Sequence, residues 1–402
     1  MATTTLPQPD KSHHTNSSST SFRNPWPSFK NHGLLDLLHT RFRSDRNFIP
    51  IPQDRKELVT VQSATFATDT TTTSKLKATW LGHASWLLEF PNSGQTKDTT
   101  GGPTKGVTIL LDPVFADRTS PVRFLGPKRY SPLPCTLDEL PSIDSVLISH
   151  NHYDHLDIDV VLALHKRSSV TVFFCPLRNK DWFVSAGVAA NVVVELDWWE
   201  ACSLKVPGSG CVNVVCTPSQ HTSARTPFDR DTMLWSGWAV AAADTKHEMD
   251  TTQDVSTQKL PGPEISFVAP RVFFAGDTGY RYVSSAKPTP SEEETAPRCP
   301  AFKQIGDILG PFDLALLPIG LYSPRDMLSS VHCSPEDSVC IHQDVRSKRS
   351  IGMHWGTYRG GISAQYEDVR EPPRRFETCS KAANLAWGTE IGLCGIGETI
   401  LI

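Results

Sequence analysis

Short apolar runs separated by turn residues dominate the chain from residue 75 onward, and their lengths read as β-strands more than as long helices. Strands are predicted over 76–90, 107–114, 145–149, 171–175, 191–196, 212–216, 233–240, 271–275 and 314–319. Helical stretches interleave in the second half. One is expected from Ser334, where Ser-Pro-Glu-Asp supplies an N-cap, a proline at the first helical position and a carboxylate three residues on. Three polar stretches, 91–106, 244–262 and 286–300, read as surface loops inserted between strands.

The segment upstream follows a different pattern. Residues 1–22 are rich in Thr, Ser, Pro and Asn and hold almost no large apolar side chains, so a disordered tail is predicted: little burial is available to offset the entropy of ordering. Few acidic residues occur there, which leaves a transit peptide and a mitochondrial address open, although Arg is scarce as well. Residues 23–74 read as an extension packed on one large domain spanning 75–402. Within it the run GLLDLLHTRFR at 33–43 sets Leu34, Leu35, Leu37 and Leu38 beside Arg41 and Arg43. Either an amphipathic helix on a lipid interface or a short helix capping the core would have this pattern.

Composition narrows the class. Of 402 residues 39% are hydrophobic and 20% charged, which suits an ordinary globular protein with a sizeable core. Formal charge is −4, so no global positive field draws the protein onto nucleic acid or anionic lipid, and any such attraction must be local. No run approaches the roughly 18 apolar residues of a membrane span, and the N-terminus lacks a secretory signal. A soluble or peripherally membrane-associated protein is therefore expected. Ten cysteines are scattered without a CxxC pair, and Cys175, Cys216 and Cys340 fall inside apolar runs. Buried reduced thiols, and hence an intracellular compartment, are the expectation.

The chemistry concentrates in SHNHYDHLD at 149–157, directly after the apolar run 145–148. A strand-end loop lets His150 and His152 point at one centre while Asp154 and His155, further round the turn, point at a second. The other ligands of such a site should come from other strand ends. His221, Asp277 and His354 each follow an apolar run. Neutral imidazoles suit zinc and similar metals, and a carboxylate such as Asp277 can bridge two cations. A pair of metals can share a hydroxide and polarise a phosphoryl or carbonyl oxygen, which makes hydrolysis the expected reaction. His332 immediately precedes the predicted helix start at Ser334, where backbone N–H groups favour an anionic oxygen; phosphate contact or leaving-group protonation is one reading, and simple positioning of the helix the other. His83 reads as a residue just outside the ligand set. His13 and His14 fall in the tail, and His32, His39, His165, His247 and His342 read as surface or helix positions.

HNHYDH followed downstream by His221, Asp277 and His354 resembles the metallo-β-lactamase superfamily. That resemblance implies an α/β (α+β) fold, the αββα four-layer sandwich, with metals at the edge of its two sheets. Within the superfamily the chain looks like the N-acyl-phosphatidylethanolamine-hydrolysing phospholipase D family from residue 22 to nearly the end. The segments are NPWP at 24–27, WLGHAS at 80–85, DPVF at 112–115, GPKRY at 126–130, ELDWWE at 195–200, TPSQH at 217–221, FFAGDTGY at 273–280, LPIG at 317–320 and GMHWGT at 352–357. The resemblance implies that His150, His152 and His221 hold one zinc, that Asp154, His155 and His354 hold another, that Asp277 bridges them, and that His332 lines the site beside the scissile phosphate. Iron or manganese suits similar ligands.

The implied activity is hydrolysis of an N-acylated phospholipid at a membrane surface, by a metal-bridging hydroxide, to an N-acylethanolamine and phosphatidic acid. Asp154, Asp277 and His332 would then be catalytic. Lys128 and Arg129 are expected substrate contacts, because the run VRFLGPKRY at 122–130 joins apolar to basic groups, although an ordinary surface loop would look the same, and Tyr153 within the metal loop is a further expected contact. The expected partner is phospholipid rather than nucleic acid, and a homodimer is left open. Two competing readings share the same residues: a hydrolase of a soluble ester or lactone, and a metal- and lipid-binding protein without catalysis.

Overall fold

Successive apolar residues face opposite ways along the strands, and this alternation builds the layers. The protein is seen here as a computed structural model, which describes residues 3–8, 10–66, 74–92, 105–243, 255–260, 262 and 264–402. In the first sheet run β1 (Lys77–Gly82), β2 (Ser85–Glu89), β3 (Thr108–Leu111), β4 (Ser145–Leu147), β5 (Val172–Pro176) and β6 (Val193–Leu196). The second sheet contains β7 (Ala201–Val206), β8 (Gly210–Thr217), β9 (Gly237–Ala242), β10 (Ser256–Lys259), β11 (Val268–Phe274), β12 (Leu314–Pro318), β13 (Ser350–Met353) and β14 (Ile391–Gly392). The chain then returns to the first sheet as β15 (Thr399–Leu401).

The first sheet has the order β15-β1-β2-β3-β4-β5-β6 and the second β10-β7-β8-β9-β11-β12-β13-β14. Each is antiparallel in one half and parallel in the other, from β3 to β6 and from β11 to β14. Trp80, Trp86, Ile109, Leu147 and Phe174 face the second sheet, where they join Val214, Trp238 and Phe274 in one cluster. Their chain neighbours Leu81, Leu87, Leu110, Val146 and Phe173 turn outward. That outer face is covered by α2 (Ile158–Arg167) and α3 (Lys180–Ala186), through Val160, Val161, Leu164 and Phe183. On the far side α5 (Ala301–Leu309), α7 (Pro335–Asp344) and α8 (Glu371–Ala382) cover the second sheet. The result is the expected αββα sandwich. Among the described residues no helix is long and apolar enough to cross a membrane.

The structure departs from the sequence expectations in definite places. The run 76–90 is two strands, because Gly82 (φ +101°) and His83 (φ +52°) turn the chain sharply. Ala201–Val206 and Ser256–Lys259, not predicted as strands, occupy one end of the second sheet. They are short and carry alternating polar groups, so their apolar signal is weak. The stretch 244–262 therefore includes a strand, while 244–254 and most of the predicted 91–106 loop lie outside the described residues. The third, 286–300, contains the helix Pro290–Thr295, capped by Thr289 with Glu292. α7 starts where its sequence indicates, with Ser334 and Asp337 forming the cap.

Upstream, one of two alternatives is excluded and one expectation is overturned. The helix α1 (Leu34–Phe42) does not cap the core: Leu34 is 72% exposed and Leu35 81%, and only Thr40 is buried. Within residues 1–22, expected to be a disordered tail, Thr3–Thr5 pairs antiparallel with Glu264–Ser266, and Leu6, His13, His14 and Phe22 are buried. Polar side chains hold them there, which an apolar count misses. Residues 24–66 also pack on the domain, as the bonds from Asn24 Nδ2 to the His221 carbonyl (2.7 Å) and from the Gln62 amide to the Ile396 carbonyl (2.9 Å) show.

Candidate metal centre

Parallel strands place their carboxyl ends along one edge, and the candidate ligands leave from those ends. His150, His152, Asp154 and His155 occupy the loop between β4 and α2, His221 follows β8, Asp277 follows β11 and His354 follows β13. Two backbone features bring these loops together. Gly276 has φ +60°, and a Cβ there would lie 2.7 Å from Ser149 Cβ, so only glycine lets the two loops approach this closely. His354 itself has φ +63°, a conformation unusual for a non-glycine residue and often found at functional sites.

Three imidazoles form one cluster. His150 Nε2 lies 2.9 Å and His221 Nε2 3.2 Å from His152 Nδ1. Tetrahedral zinc bonded to nitrogen at about 2.0–2.1 Å separates its ligands by roughly 3.3 Å, so this spacing suits one ion. The remote nitrogens are engaged elsewhere: His150 Nδ1 meets Ser149 Oγ at 2.9 Å and His221 Nδ1 the Val331 carbonyl at 2.9 Å. These outer contacts fix the tautomer and the ring orientation, as at natural metal sites.

A second cluster joins His83, Asp154, His155 and His354. Asp277 stands between the two, with Oδ1 2.9 Å from His354 Nε2 and Oδ2 3.2 Å from His155 Nε2 and 3.9 Å from His221 Nε2. Despite these distances Asp277 Oδ1, His155 Nε2 and His354 Nε2 are buried atoms without an aligned hydrogen bond. Lone pairs that converge without pairing are the arrangement a cation would complete, and the donor set fits a binuclear metal site.

The charge balance agrees. Burial, and then the neighbouring imidazoles, hold His150 well below the ordinary histidine range; burial acts likewise on His221 and His152, leaving neutral rings suited to ligation. Burial would raise Asp277 and Asp154, yet His155 and other nearby imidazoles hold both carboxyls below their usual range. Burial would lower His155, but Asp277, Asp154 and Asp112 pull it well above. The field that attracts a proton to His155 attracts a metal cation equally.

Two participants were underweighted by sequence. His83, read as lying outside the ligand set, has Nε2 3.2 Å from Asp154 Oδ2 and its ring 4.0 Å from that of His354. Burial lowers its pKa to about 3. Asp112 was not singled out chemically. It accepts from the Ser149 amide at 2.7 Å, from Ser149 Oγ at 2.5 Å and from His155 Nδ1 at 2.7 Å. Its only sequence signal is an Asp-Pro directly after a buried strand.

The expected substrate contacts are distributed differently. His332 borders the site, with Nδ1 3.8 Å from Asp277 Oδ2, and burial lowers its pKa to about 4. Tyr153 lies near the metal loop, its ring covered by the Arg225 guanidinium at 3.9 Å. Arg129 is engaged within the protein, donating to the Val114 carbonyl at 2.8 Å and the Tyr358 hydroxyl at 2.6 Å. Lys128 is exposed on the adjoining edge, where Lys128–Arg129 pairs with Tyr358–Arg359.

The family comparison agrees with this geometry. Residues 107–251 and 242–355 match the profile of the family described as "Beta-lactamase superfamily domain". The chain belongs to the metallo-β-lactamase superfamily. As a metal-dependent hydrolase of that superfamily it is 35% identical over 359 residues to N-acyl-phosphatidylethanolamine-hydrolyzing phospholipase D 1 of Caenorhabditis elegans, covering 87% of this chain and 84% of the relative. The mitochondrial N-acyl-phosphatidylethanolamine-hydrolyzing phospholipase D of Saccharomyces cerevisiae is 29% identical over 284 residues, 70% of this chain and 49% of that protein. A solved structure titled a possible metal-dependent hydrolase, from Veillonella parvula, superposes with a TM-score of 0.50 at 18% identity, covering 81% of this chain and 99% of the other; it attests to the shared fold.

Proposed function

We propose that this superfamily hydrolase is a phospholipase D-type phosphodiesterase that cleaves N-acyl-phosphatidylethanolamine into an N-acylethanolamine and phosphatidic acid, with two zinc ions. The observation that carries the lipid reading is an apolar surface fastened to the site's rim. α1 exposes Leu34, Leu35 and Phe42, and Arg43 beside it pairs with Asp326 at 2.5 Å. Asp326 belongs to α6 (Arg325–Leu328), and the His332 amide bonds back to the Leu328 carbonyl at 2.8 Å. On another loop Phe124 and Leu125 are exposed beside Arg123, which pairs with Asp159 in α2, the helix that follows the metal loop. Apolar side chains interspersed with arginine suit a lipid interface with anionic head groups. The relatives named for this substrate support the same reading.

The ligand residues divide the work. His150, His152 and His221 would hold one ion and Asp154, His155 and His354 the other, with Asp277 between the two clusters available to both. A pair of zinc ions supplies an activated water and polarises the phosphoryl oxygen. His332 reaches the same space from the side of α6 and is the side chain placed to hydrogen-bond a phosphate oxygen. Lys128 offers an exposed ammonium to lipid phosphate. The Tyr358 ring packs edge-on against that of His83 at 5.2 Å between centroids, and its hydroxyl accepts from Arg129 at 2.6 Å.

Turnover of N-acyl-phosphatidylethanolamine in vesicles, compared with that of a soluble phosphodiester and a soluble lactone, tests the proposal. Vesicle substrate should be preferred, and Asp277→Asn should lose about a thousandfold or more in kcat, the equivalent of several kcal/mol of charge stabilisation. Equal turnover of lactone and vesicle lipid, or an undiminished Asp277→Asn enzyme, would defeat it.

A further inference from the structure

His13, His14 and Asp197 form a second cluster of metal-binding groups, sharing no residue with the catalytic one. Asp197 directly follows β6, and the two histidines come from a segment nearly two hundred residues away in sequence, which passes over it. His13 Nε2 lies 2.7 Å from Asp197 Oδ1 and His14 Nε2 2.8 Å from Asp197 Oδ2. All three side chains are buried, at 2%, 8% and 5% exposure. We infer that they bind a third divalent metal ion, of the zinc class, which fastens the N-terminal segment to the hydrolase domain.

Four observations support a metal site. The three ligand atoms all lie within 4.8 Å of one another, and two imidazoles with one carboxylate are a ligand set suited to zinc and neighbouring metals. His14 Nδ1 meets Ser19 Oγ at 2.8 Å, an outer contact that aims Nε2 at the carboxylate. His13 is held by the Trp198 ring, stacked at 4.1 Å between centroids, and Asp197 Oδ1 by the Trp198 amide at 2.8 Å. The ligands are thus oriented by neighbours, of which Trp198 is itself fixed in the core by its bond to the Trp235 carbonyl at 2.7 Å.

The energetic argument points the same way. Among described residues 3–22 the buried apolar side chains are Leu6 and Phe22 alone, too little to offset the ordering of this many residues. Metal binding by residues brought together only on folding contributes directly to that folding. The ligand class is a borderline divalent cation held by three protein atoms, with water in the remaining position.

Metal analysis of the full-length protein after graded chelation provides the test, with the variant His13→Gln/His14→Gln, whose amides can still donate to Asp197 but ligate poorly. Wild type should retain three zinc equivalents and the double variant two, with vesicle turnover at saturating zinc unchanged. Tryptic cleavage at Lys11 and Arg23 of the wild type is a second, variant-free measurement. Zinc at about a hundred times its dissociation constant should slow cleavage about a hundredfold. A wild type that holds two equivalents, a variant with the same zinc content as wild type, or cleavage insensitive to the third equivalent would overturn the inference, leaving Asp197 simply accepting one N–H from each imidazole.

Discussion

At the level of single residues, the catalytic edge depends on side chains that orient others. Asp112 is completely buried and touches His155 on the face opposite Asp277. Asp112→Asn replaces one acceptor oxygen with a donor, so either Ser149 or His155 loses its partner. Chelator competition should show metal affinity reduced by about 10- to 100-fold, the usual cost of losing such an outer contact; unchanged affinity would remove Asp112 from the positioning role. His332 makes the complementary prediction. His332→Gln should leave metal content intact while kcat on vesicle lipid falls about a hundredfold or more, and an unaffected kcat would mean that His332 merely seats α7. Sequence spacing exposed the HxHxDH loop because its residues are adjacent, but Asp112 and His83 act across loops, and no local pattern announces that.

At the level of elements, two helices carry separable tasks. Among the described residues α1 leaves Leu34, Leu35 and Phe42 largely exposed. Replacing Leu34 and Leu35 with Glu removes roughly 1.5–3 kcal/mol of burial per side chain at a lipid interface, so vesicle binding should weaken at least tenfold while hydrolysis of a soluble phosphodiester is unaltered. Loss of both activities together would count against a membrane role for α1. In α7 the buried Asp337 pairs with Arg281 and Arg325, each at 2.6 Å. Burial would raise its pKa, but Arg325 and Arg281 lower it below the ordinary carboxylate value. Because the folded value is the lower one, this carboxylate stabilises the protein above the unfolded pKa near 4, and the contribution is lost as pH falls through the folded value. Asp337→Asn should cost about 3–5 kcal/mol at neutral pH, since it removes the carboxylate shared by two buried guanidinium groups, of which Arg325 still pairs with Glu293 at 3.2 Å. Denaturant titrations below pH 4 should show the difference shrinking; a constant difference would rule out this linkage.

On the scale of the whole molecule, the catalytic site is a seam between sheets: β4 brings the HxHxDH loop from one, and β8, β11 and β13 bring His221, Asp277 and His354 from the other. Metal removal should therefore destabilise the assembly of both layers. At a thousandfold excess over its dissociation constant each ion contributes about 4 kcal/mol, so chelation should lower Tm by several degrees and added zinc restore it; an identical Tm in both states would contradict the seam. Apolar runs were enough to locate most strands of this sandwich, because they are a local property, but not Ala201–Val206 and Ser256–Lys259, whose apolar signal is weak. The same local reading left α1 open between a lipid-facing helix and a core cap and took residues 1–22 as a disordered tail, since exposure of the leucines and burial of His13 and His14 depend on what the rest of the chain leaves uncovered. Sequence by itself determined the kinds of side chain available and their order along strand-end loops. Only tertiary structure decided which of them meet, because convergence of groups distant in the chain is set by the stacking of two sheets and by close backbone approaches such as Gly276 against Ser149.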